Sequence, residues 1–264
     1  MRHFKIVVAS IVIMGLGMLM PLSGICAQDS GATAQPGSAQ RPADKPVSDT
    51  LSDKKEGTQG VAEVPVYNPP LRGAPGRRVA GGTRGNGDGL PGLSVLAPDH
   101  VGLTAQEQPS LYWLLSGPAN CPIEFTIIEA QAVQPLLEVR IKPAVQMGLQ
   151  CIRLADYGLR LKTGVQYGWF VTLVPDPDRR SKDVVAGGVI ERVDLSGGVR
   201  AKLDQAGKKN APFVYAEAGL WYDAISAVSD LAAAAPGDAV VRKQRMALLR
   251  QVGLPDVVEY DMKQ

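Results

Sequence analysis

The sequence predicts an α+β protein, in which a mainly antiparallel β-sandwich over residues 103–195 is followed by a helical hairpin over residues 196–264. Short apolar runs separated by glycine and proline recur through the first segment, which indicates roughly six or seven short strands. After residue 196 the apolar residues recur at intervals of three and four, the spacing of a helix face. The first segment also has the length of one small sandwich domain.

The strongest strand pattern lies at residues 166–174, where Tyr167, Trp169 and Val171 fall on one face and Trp169 is expected in the core. The preceding residues, with a leucine and the turn residue Gly164, resemble the approach to strand F in immunoglobulin-like and fibronectin-type domains. In those domains a tyrosine hydroxyl bonds to the upstream backbone and fixes the corner. The resemblance gives that structural role to Tyr167.

The C-terminal segment resembles a tetratricopeptide (TPR) unit. A glycine turn at Gly219, the aromatic Trp221 and an Asp-Ala-Ile sequence from Asp223 precede a small-residue helix, and residues 236–238 open the next helix. One unit cannot form a superhelix, since stable arrays need about three. We therefore expect a TPR-like helical hairpin that packs on the sandwich or serves as a docking face.

Residues 1–27 predict a cleavable secretory signal. Arg2 and Lys5 supply a positive start, an uncharged apolar stretch follows, and Ala27 would stand directly before the cleavage point. An uncleaved anchor is the alternative, but the apolar stretch is shorter than the roughly 20 residues that span a bilayer. We expect a periplasmic or secreted protein of the cell envelope, with no stable membrane insertion after cleavage.

The charge balance excludes a general attraction to nucleic acid. The chain has 28 basic and 26 acidic residues, and Arg2 and Lys5 would leave with the signal, so the mature chain would be formally neutral. A neutral chain has no overall electrostatic reason to bind an anionic polymer. No nucleic-acid partner is expected.

Two segments precede the predicted sandwich. Residues 28–70 are of low complexity and poor in large apolar side chains, which predicts a disordered linker. Residues 71–102 mix glycine with Arg77, Arg78 and Arg84, a combination that can bind an anion. The segment lacks the Gly-Lys-Ser/Thr ending of a nucleotide-binding loop, so an irregular, solvated lead-in is the favoured alternative.

Two cysteines, Cys121 and Cys151, remain after removal of the signal. In an oxidising compartment such a pair favours a disulfide, which would stabilise the fold by roughly 3–4 kcal/mol in the chain-entropy model. Two buried free thiols are the alternative.

Catalytic patterns are scarce. His100 would be the only histidine, and it lies in a loop, where we expect a surface residue. A histidine-based nucleophile and a zinc site are therefore disfavoured, and we predict no catalytic residue, metal or cofactor. Carboxylates on the strand segments leave a glycan-binding module or hydrolase as the alternative; they are Glu124, Glu129, Glu138, Asp156 and Glu191.

Three sequence blocks in combination resemble a known family: residues 73–85, residues 161–169, and residues 215–224 together with 248–254. The chain is similar over about residues 71–258 to the bacterial family called domain of unknown function 928, found largely in cyanobacteria. That family has no established activity, so the resemblance implies no catalytic residue. In that family a cysteine often ends the central strand, whereas this chain has Leu-Val-Pro at that place. The pair Cys121 and Cys151 would therefore be particular to this sequence.

The remaining polar and aromatic candidates point to binding. Trp221 is less clearly a core residue than Trp169, and with Tyr222 and Asp223 it could line a peptide groove beside the Arg77–Arg84 segment. We therefore expect an uncharacterised envelope protein, a non-enzymatic protein-interaction module whose partner is an envelope or extracellular protein.

Overall fold

A computed structural model describes residues 63–70, 78–79 and 89–263. The predicted signal, most of the predicted linker, and Arg77 and Arg84 lie outside these residues. In the part of the chain that is described, every helix is too short or too polar to span a bilayer.

Eight strands form two sheets. Their bounds are β1 (Leu93–Val95), β2 (Gly102–Thr104), β3 (Ser110–Leu115), β4 (Ile123–Glu129), β5 (Leu137–Ile141), β6 (Gly148–Arg153), β7 (Gln166–Leu173) and β8 (Val184–Arg192). The smaller sheet has the order β1-β3-β6, and the larger has the order β2-β8-β7-β4-β5. All neighbours are antiparallel except β2 and β8. The predicted lead-in already contains β1 and the start of β2, so it is not simply irregular.

The alternation predicted for β7 is present. Tyr167, Trp169, Val171 and Leu173 are buried, and both sheets contribute to one hydrophobic core. The Tyr167 hydroxyl accepts a hydrogen bond from the backbone N–H of Lys162 at 3.0 Å, the upstream contact that the corner resemblance requires.

Four helices follow, instead of the predicted hairpin. They are α1 (Gly197–Glu217), α2 (Trp221–Ala234), α3 (Ala239–Gln251) and α4 (Pro255–Met262). Ser196 caps α1 by accepting from the Val199 amide, and Asp238 caps α3 by accepting from two amides. Two short 3-10 helices, Leu154–Tyr157 and Arg180–Lys182, lie within the β region.

Helix α2 is covered on several sides. The Trp221 indole is buried and donates to the Leu96 carbonyl at 2.9 Å, and the Tyr222 hydroxyl accepts from the Trp169 indole at 2.9 Å. A Cβ at Gly102 would lie 2.6 Å from the Tyr222 ring, so this close approach requires glycine. Trp221 and Tyr222 are thus interior residues, and the prediction that they line an exposed peptide groove is wrong.

Residues 63–70 belong to the folded unit, so the C-terminal boundary predicted for the linker, residue 70, lies too far along the chain. Tyr67 is buried in edge-to-face contact with Trp221, and its amide donates to the Gln251 side chain at 2.8 Å. Its hydroxyl lies 2.8 Å from Nε2 of His100, whose Nδ1 lies 3.2 Å from Asp99. His100 is therefore a half-buried partner of Tyr67 instead of a surface residue.

Arg78 and Gly219 hold this side of the molecule together. The Arg78 guanidinium donates to the carbonyls of Ala97, Val252 and Gly253 at 2.9 to 3.1 Å, which satisfies carbonyl groups just after α3. Arg78 thus has a structural role here. Gly219 forms the predicted turn at φ +75°, and a Cβ there would lie 2.8 Å from the backbone oxygen of Asn68.

Cys121 and Cys151 are free thiols, so the predicted disulfide is wrong. Cys121 precedes β4 and belongs to the core, whereas Cys151 lies on β6, in register with Tyr112. The Tyr112 hydroxyl reaches side chains of α2, so this face of the smaller sheet is turned towards the helices. Cys151 therefore lies on the helix-facing side of the smaller sheet, whereas Cys121 precedes a strand of the larger sheet.

Candidate functional site

Three polar residues lie along one face of α2: Asp223, Ser226 and Asp230. Their spacing of three and four residues places them in one row on the helix. They line a cavity of about 300 Å³, the Asp223 cavity. Its other polar wall comes from α1 and from the segment between β2 and β3, through Thr104, Gln106, Gln108, Ser110 and Tyr215.

Asp223 is the buried acid of this cavity, with 4% of its surface exposed. Its Oδ2 accepts a hydrogen bond from the Ala105 amide at 2.9 Å, whereas Oδ1 has no hydrogen-bond partner among the described residues. Burial raises the pKa of the Asp223 carboxyl to about 6, against hydrogen bonding from the Ala105 amide and from the side chains of Thr104 and Gln106, which lowers the pKa. The carboxyl therefore titrates close to neutral pH.

The described residues supply no counter-ion to this cavity. Among the described residues that line it there is no lysine, arginine or histidine, while both Asp223 and Asp230 are present. Burial and the charge of Asp223 also raise the pKa of Tyr215, which keeps that phenol neutral. The arrangement suits a ligand group that is positively charged or rich in hydrogen-bond donors.

Asp230 stands at the solvent-exposed end of the row. The Tyr112 hydroxyl donates to Oδ1 of Asp230 at 3.3 Å and lies 3.5 Å from the Ser226 hydroxyl. Burial raises the pKa of Tyr112, so its hydroxyl stays protonated and acts as a donor at neutral pH. This contact orients the Asp230 carboxylate at the mouth of the cavity.

A second cavity, of about 440 Å³, adjoins the first, since Asp230 lines both. We call it the Ser229 cavity; it lies between β6 and the helices, and Ser229, Cys151 and three arginines line it. The Ser229 hydroxyl is buried and has no hydrogen-bond partner among the described residues. Cys151 is exposed as a whole residue, but neighbouring atoms cover part of its sulfur. This partial burial raises the pKa of the thiol, so the thiol is not an activated nucleophile.

The three arginines differ in their partners. Arg245 forms a buried, two-point ion pair with Asp261, with N–O distances of 2.7 and 2.5 Å. Arg153 and Arg242 make no ion pair or side-chain hydrogen bond with any described residue. The Ser229 cavity is therefore open to an anionic group at these two guanidinium groups.

Of the sequence candidates, Asp223 lies at this site, Trp221 lies in the core, and Tyr222 is buried and also lines the cavity. Sequence reasoning missed Ser226, Ser229 and Asp230. Their spacing from Asp223 was visible in the sequence, because polar residues interrupt an otherwise apolar helix.

The strand carboxylates do not form a site. Glu124 pairs with Arg180 at 2.7 Å, Glu129 lies 3.6 Å from Lys162, and Glu191 accepts from the Gln166 side chain at 3.0 Å. No two of these glutamates are partners in the strand register. The described residues also contain no cluster of three or more histidine, cysteine, aspartate or glutamate side chains that could hold a metal ion.

The fold and the site define an α+β protein with two mostly antiparallel sheets and four helices, in which a buried acid of α2 faces a cavity lined also by α1 and by the β2–β3 region. The chain belongs to the family described as Domain of Unknown Function (DUF928), whose model matches residues 79–262. This confirms the family resemblance found in the sequence. A comparison with curated proteins finds no match.

Proposed function

We propose that this protein is a non-enzymatic binding protein of the cell envelope, which takes a positively charged side chain of a protein partner into the Asp223 cavity. The observation that carries the proposal is the buried Oδ1 of Asp223, which lacks a partner among the described residues in a cavity that none of their basic side chains lines. Buried polar atoms are normally paired, and a buried carboxylate without a cation is costly.

A basic side chain of the partner would supply both the missing hydrogen-bond donor and the missing positive charge. An ammonium or guanidinium group can donate to Oδ1 in a charge-assisted hydrogen bond, while Ala105 continues to donate to Oδ2. Asp230 at the mouth adds a second negative charge, which favours entry of a cation. Because Asp223 must be ionised, binding is expected to strengthen as the pH rises through about 6.

The chemistry of the cavity supports binding over catalysis. Among the described residues the Ser226 hydroxyl has the neutral Tyr112 phenol as its hydrogen-bond partner, and it makes no hydrogen bond to a carboxylate that could remove its proton. The envelope location rests on the charged, apolar and small-residue order of the first 27 residues. The Tyr167 corner supports a fibronectin-type sandwich, and the turn at Gly219 supports a TPR-like arrangement of α2 and α3.

The test uses three capped peptides, Ac-Gly-Lys-Gly-NH2, Ac-Gly-Arg-Gly-NH2 and the uncharged Ac-Gly-Gln-Gly-NH2. The backbone amide of Ala105 donates to Asp223, so its NMR resonance reports on this site directly. The lysine or arginine peptide is expected to move that resonance in a saturable way at about pH 8, with little effect from the glutamine peptide. Mass spectrometry should recover the peptides intact.

Two matched variants complete the experiment. Asp223→Asn keeps the shape of the side chain and an acceptor for Ala105, and it is expected to abolish the response. Asp156→Asn changes an exposed aspartate on a 3-10 helix and should leave the response unchanged. The proposal fails if the charged peptides bind equally well to Asp223→Asn, or if a neutral oligosaccharide moves the Ala105 resonance more strongly than they do.

A further inference from the structure

We infer that the partner presents an extended chain segment in which an acidic residue stands about four positions from the basic one. The segment lies along α2, with its basic side chain in the Asp223 cavity and its acidic side chain at Arg153 and Arg242 in the Ser229 cavity. This inference rests on the proposed function, and it specifies the charge pattern and the conformation of the partner.

The two cavities are neighbours along α2, and we call them together the track. Asp230 lines both of them, so it lies where one cavity meets the other. Asp223 and Asp230 are seven residues apart on α2, which is about 10 Å along the helix axis at 1.5 Å per residue. An extended chain covers that distance in about three residues at 3.3 Å each. A segment that continues past Asp230 to the arginines therefore needs about four.

The two ends of the track have opposite charge. The Asp223 cavity is lined by two aspartates and by no described basic residue. In the Ser229 cavity Asp261 neutralises Arg245, which leaves Arg153 and Arg242 against the single carboxylate of Asp230. A partner segment with a cation at one end and an anion at the other complements the charge of both cavities. A segment with two basic residues would instead bring its second positive charge against the two arginines.

An unpartnered buried polar atom lies in each half of the track. Oδ1 of Asp223 and Oγ of Ser229 are both without hydrogen-bond partners among the described residues, and both residues are more than nine-tenths buried. Oδ1 requires a donor, whereas a serine hydroxyl can donate or accept. A main-chain amide or carbonyl of an extended segment has the groups that Ser229 can bond. The Ser229 cavity thus has a polar atom to hold the segment, besides the two guanidinium groups.

The test compares capped peptides in both chain directions, Ac-Lys-Ser-Ser-Ser-Glu-NH2 and Ac-Glu-Ser-Ser-Ser-Lys-NH2, each with a counterpart in which glutamine replaces glutamate. Titration of the full chain at about pH 8, followed by NMR, gives the dissociation constants. One of the spaced peptides is expected to bind about tenfold more tightly than its glutamine counterpart, the effect of one charge-assisted contact. In Ac-Ser-Lys-Glu-Ser-Ser-NH2 the two charges are adjacent, so this peptide should bind no more tightly than the glutamine counterparts.

Variants assign the gain to the two arginines. Arg153→Gln and Arg242→Gln together should remove the tenfold gain and leave the affinity of the glutamine counterpart unchanged. Arg200→Gln, at an exposed position on α1, serves as the matched control and should change neither affinity. If the glutamine counterparts bind through Asp223 but glutamate adds nothing in either direction, this inference is wrong and the proposed function stands. If no lysine peptide binds, both fail.

Discussion

Asp223 provides a test of the site that needs no ligand, because its burial makes folding depend on pH. The folded pKa is about 6, against an ordinary value of 3.8. Since one pH unit between folded and unfolded pKa values corresponds to about 1.4 kcal/mol, ionised Asp223 costs the fold about 3 kcal/mol. Asparagine has nearly the same shape, can still accept from Ala105, and carries no charge. Asp223→Asn should therefore be more stable than the parent chain by about that amount at neutral pH.

The sign of this effect depends on pH. Well below pH 3.8 the carboxyl is protonated in both folded and unfolded chains, so the cost is absent. As the pH rises from about 3 to above 6 the unfolded chain ionises first, and the free energy of unfolding falls by the full amount. This is the behaviour of a group that binds its proton more tightly when folded. Tyr215, which also faces Asp223, stays protonated throughout because its pKa is raised.

The assay is urea unfolding of both chains at about pH 4 and about pH 8, with the difference between the chains compared at each pH. All other titrating groups are common to both chains, so their contributions largely cancel. The expected difference is about 0.5 kcal/mol at the lower pH and about 3 kcal/mol at the higher pH, with the variant more stable. A difference that is equal at both pH values, or a variant that is less stable at the higher one, would refute the reasoning. Asp156→Asn should show no such pH-dependent difference.

Two further predictions concern the framework. Without reductant, a maleimide should label Cys151 in the folded protein and both Cys121 and Cys151 after unfolding, whereas a peptide pair linked through these sulfur atoms in mass spectrometry would contradict the free thiols. Gly219→Ala should lower the free energy of unfolding by about 1–3 kcal/mol, because of its positive φ and the close Asn68 oxygen. Gly237→Ala, in open space, is the control, and an equal effect of both substitutions in thermal or urea unfolding would contradict this explanation.

The strands of the β region agree closely with those predicted from the sequence, because the alternation of buried and exposed residues in a strand is a local pattern. The burial of Tyr167 and Trp169, with exposed or half-buried residues between them, can be read directly from residues 166–173. The helical region was harder to predict. Gly207 has a non-helical backbone conformation within α1, and Pro212 interrupts the pattern further along, so no clear amphipathic period marks this helix. This explains why a hairpin was predicted where the structure has four helices.

The placement of the aromatic residues depends on contacts distant in sequence. Trp221 is enclosed by Tyr67, which belongs to a segment whose composition predicts disorder, and Tyr222 fits only because Gly102 lacks a side chain. Neither contact can be inferred from the helix alone. Asp223 is also a candidate in the sequence, but the sequence does not show its burial, which involves the segment after β2 through the Ala105 amide.

The stability and the binding of Asp223→Asn together distinguish a structural from a functional role. If Asp223 served only the fold, its removal would destabilise the protein, as the loss of a paired buried group does. For an acid that serves to bind a ligand, removal should instead stabilise the protein. Its buried charge lowers the free energy of unfolding until a bound cation offsets that effect. The unpartnered Oδ1 and the absence of basic residues among the described lining of the cavity indicate the second case. If the variant is more stable at neutral pH and no longer binds the lysine peptide, then the same carboxylate both destabilises the fold and binds the cation.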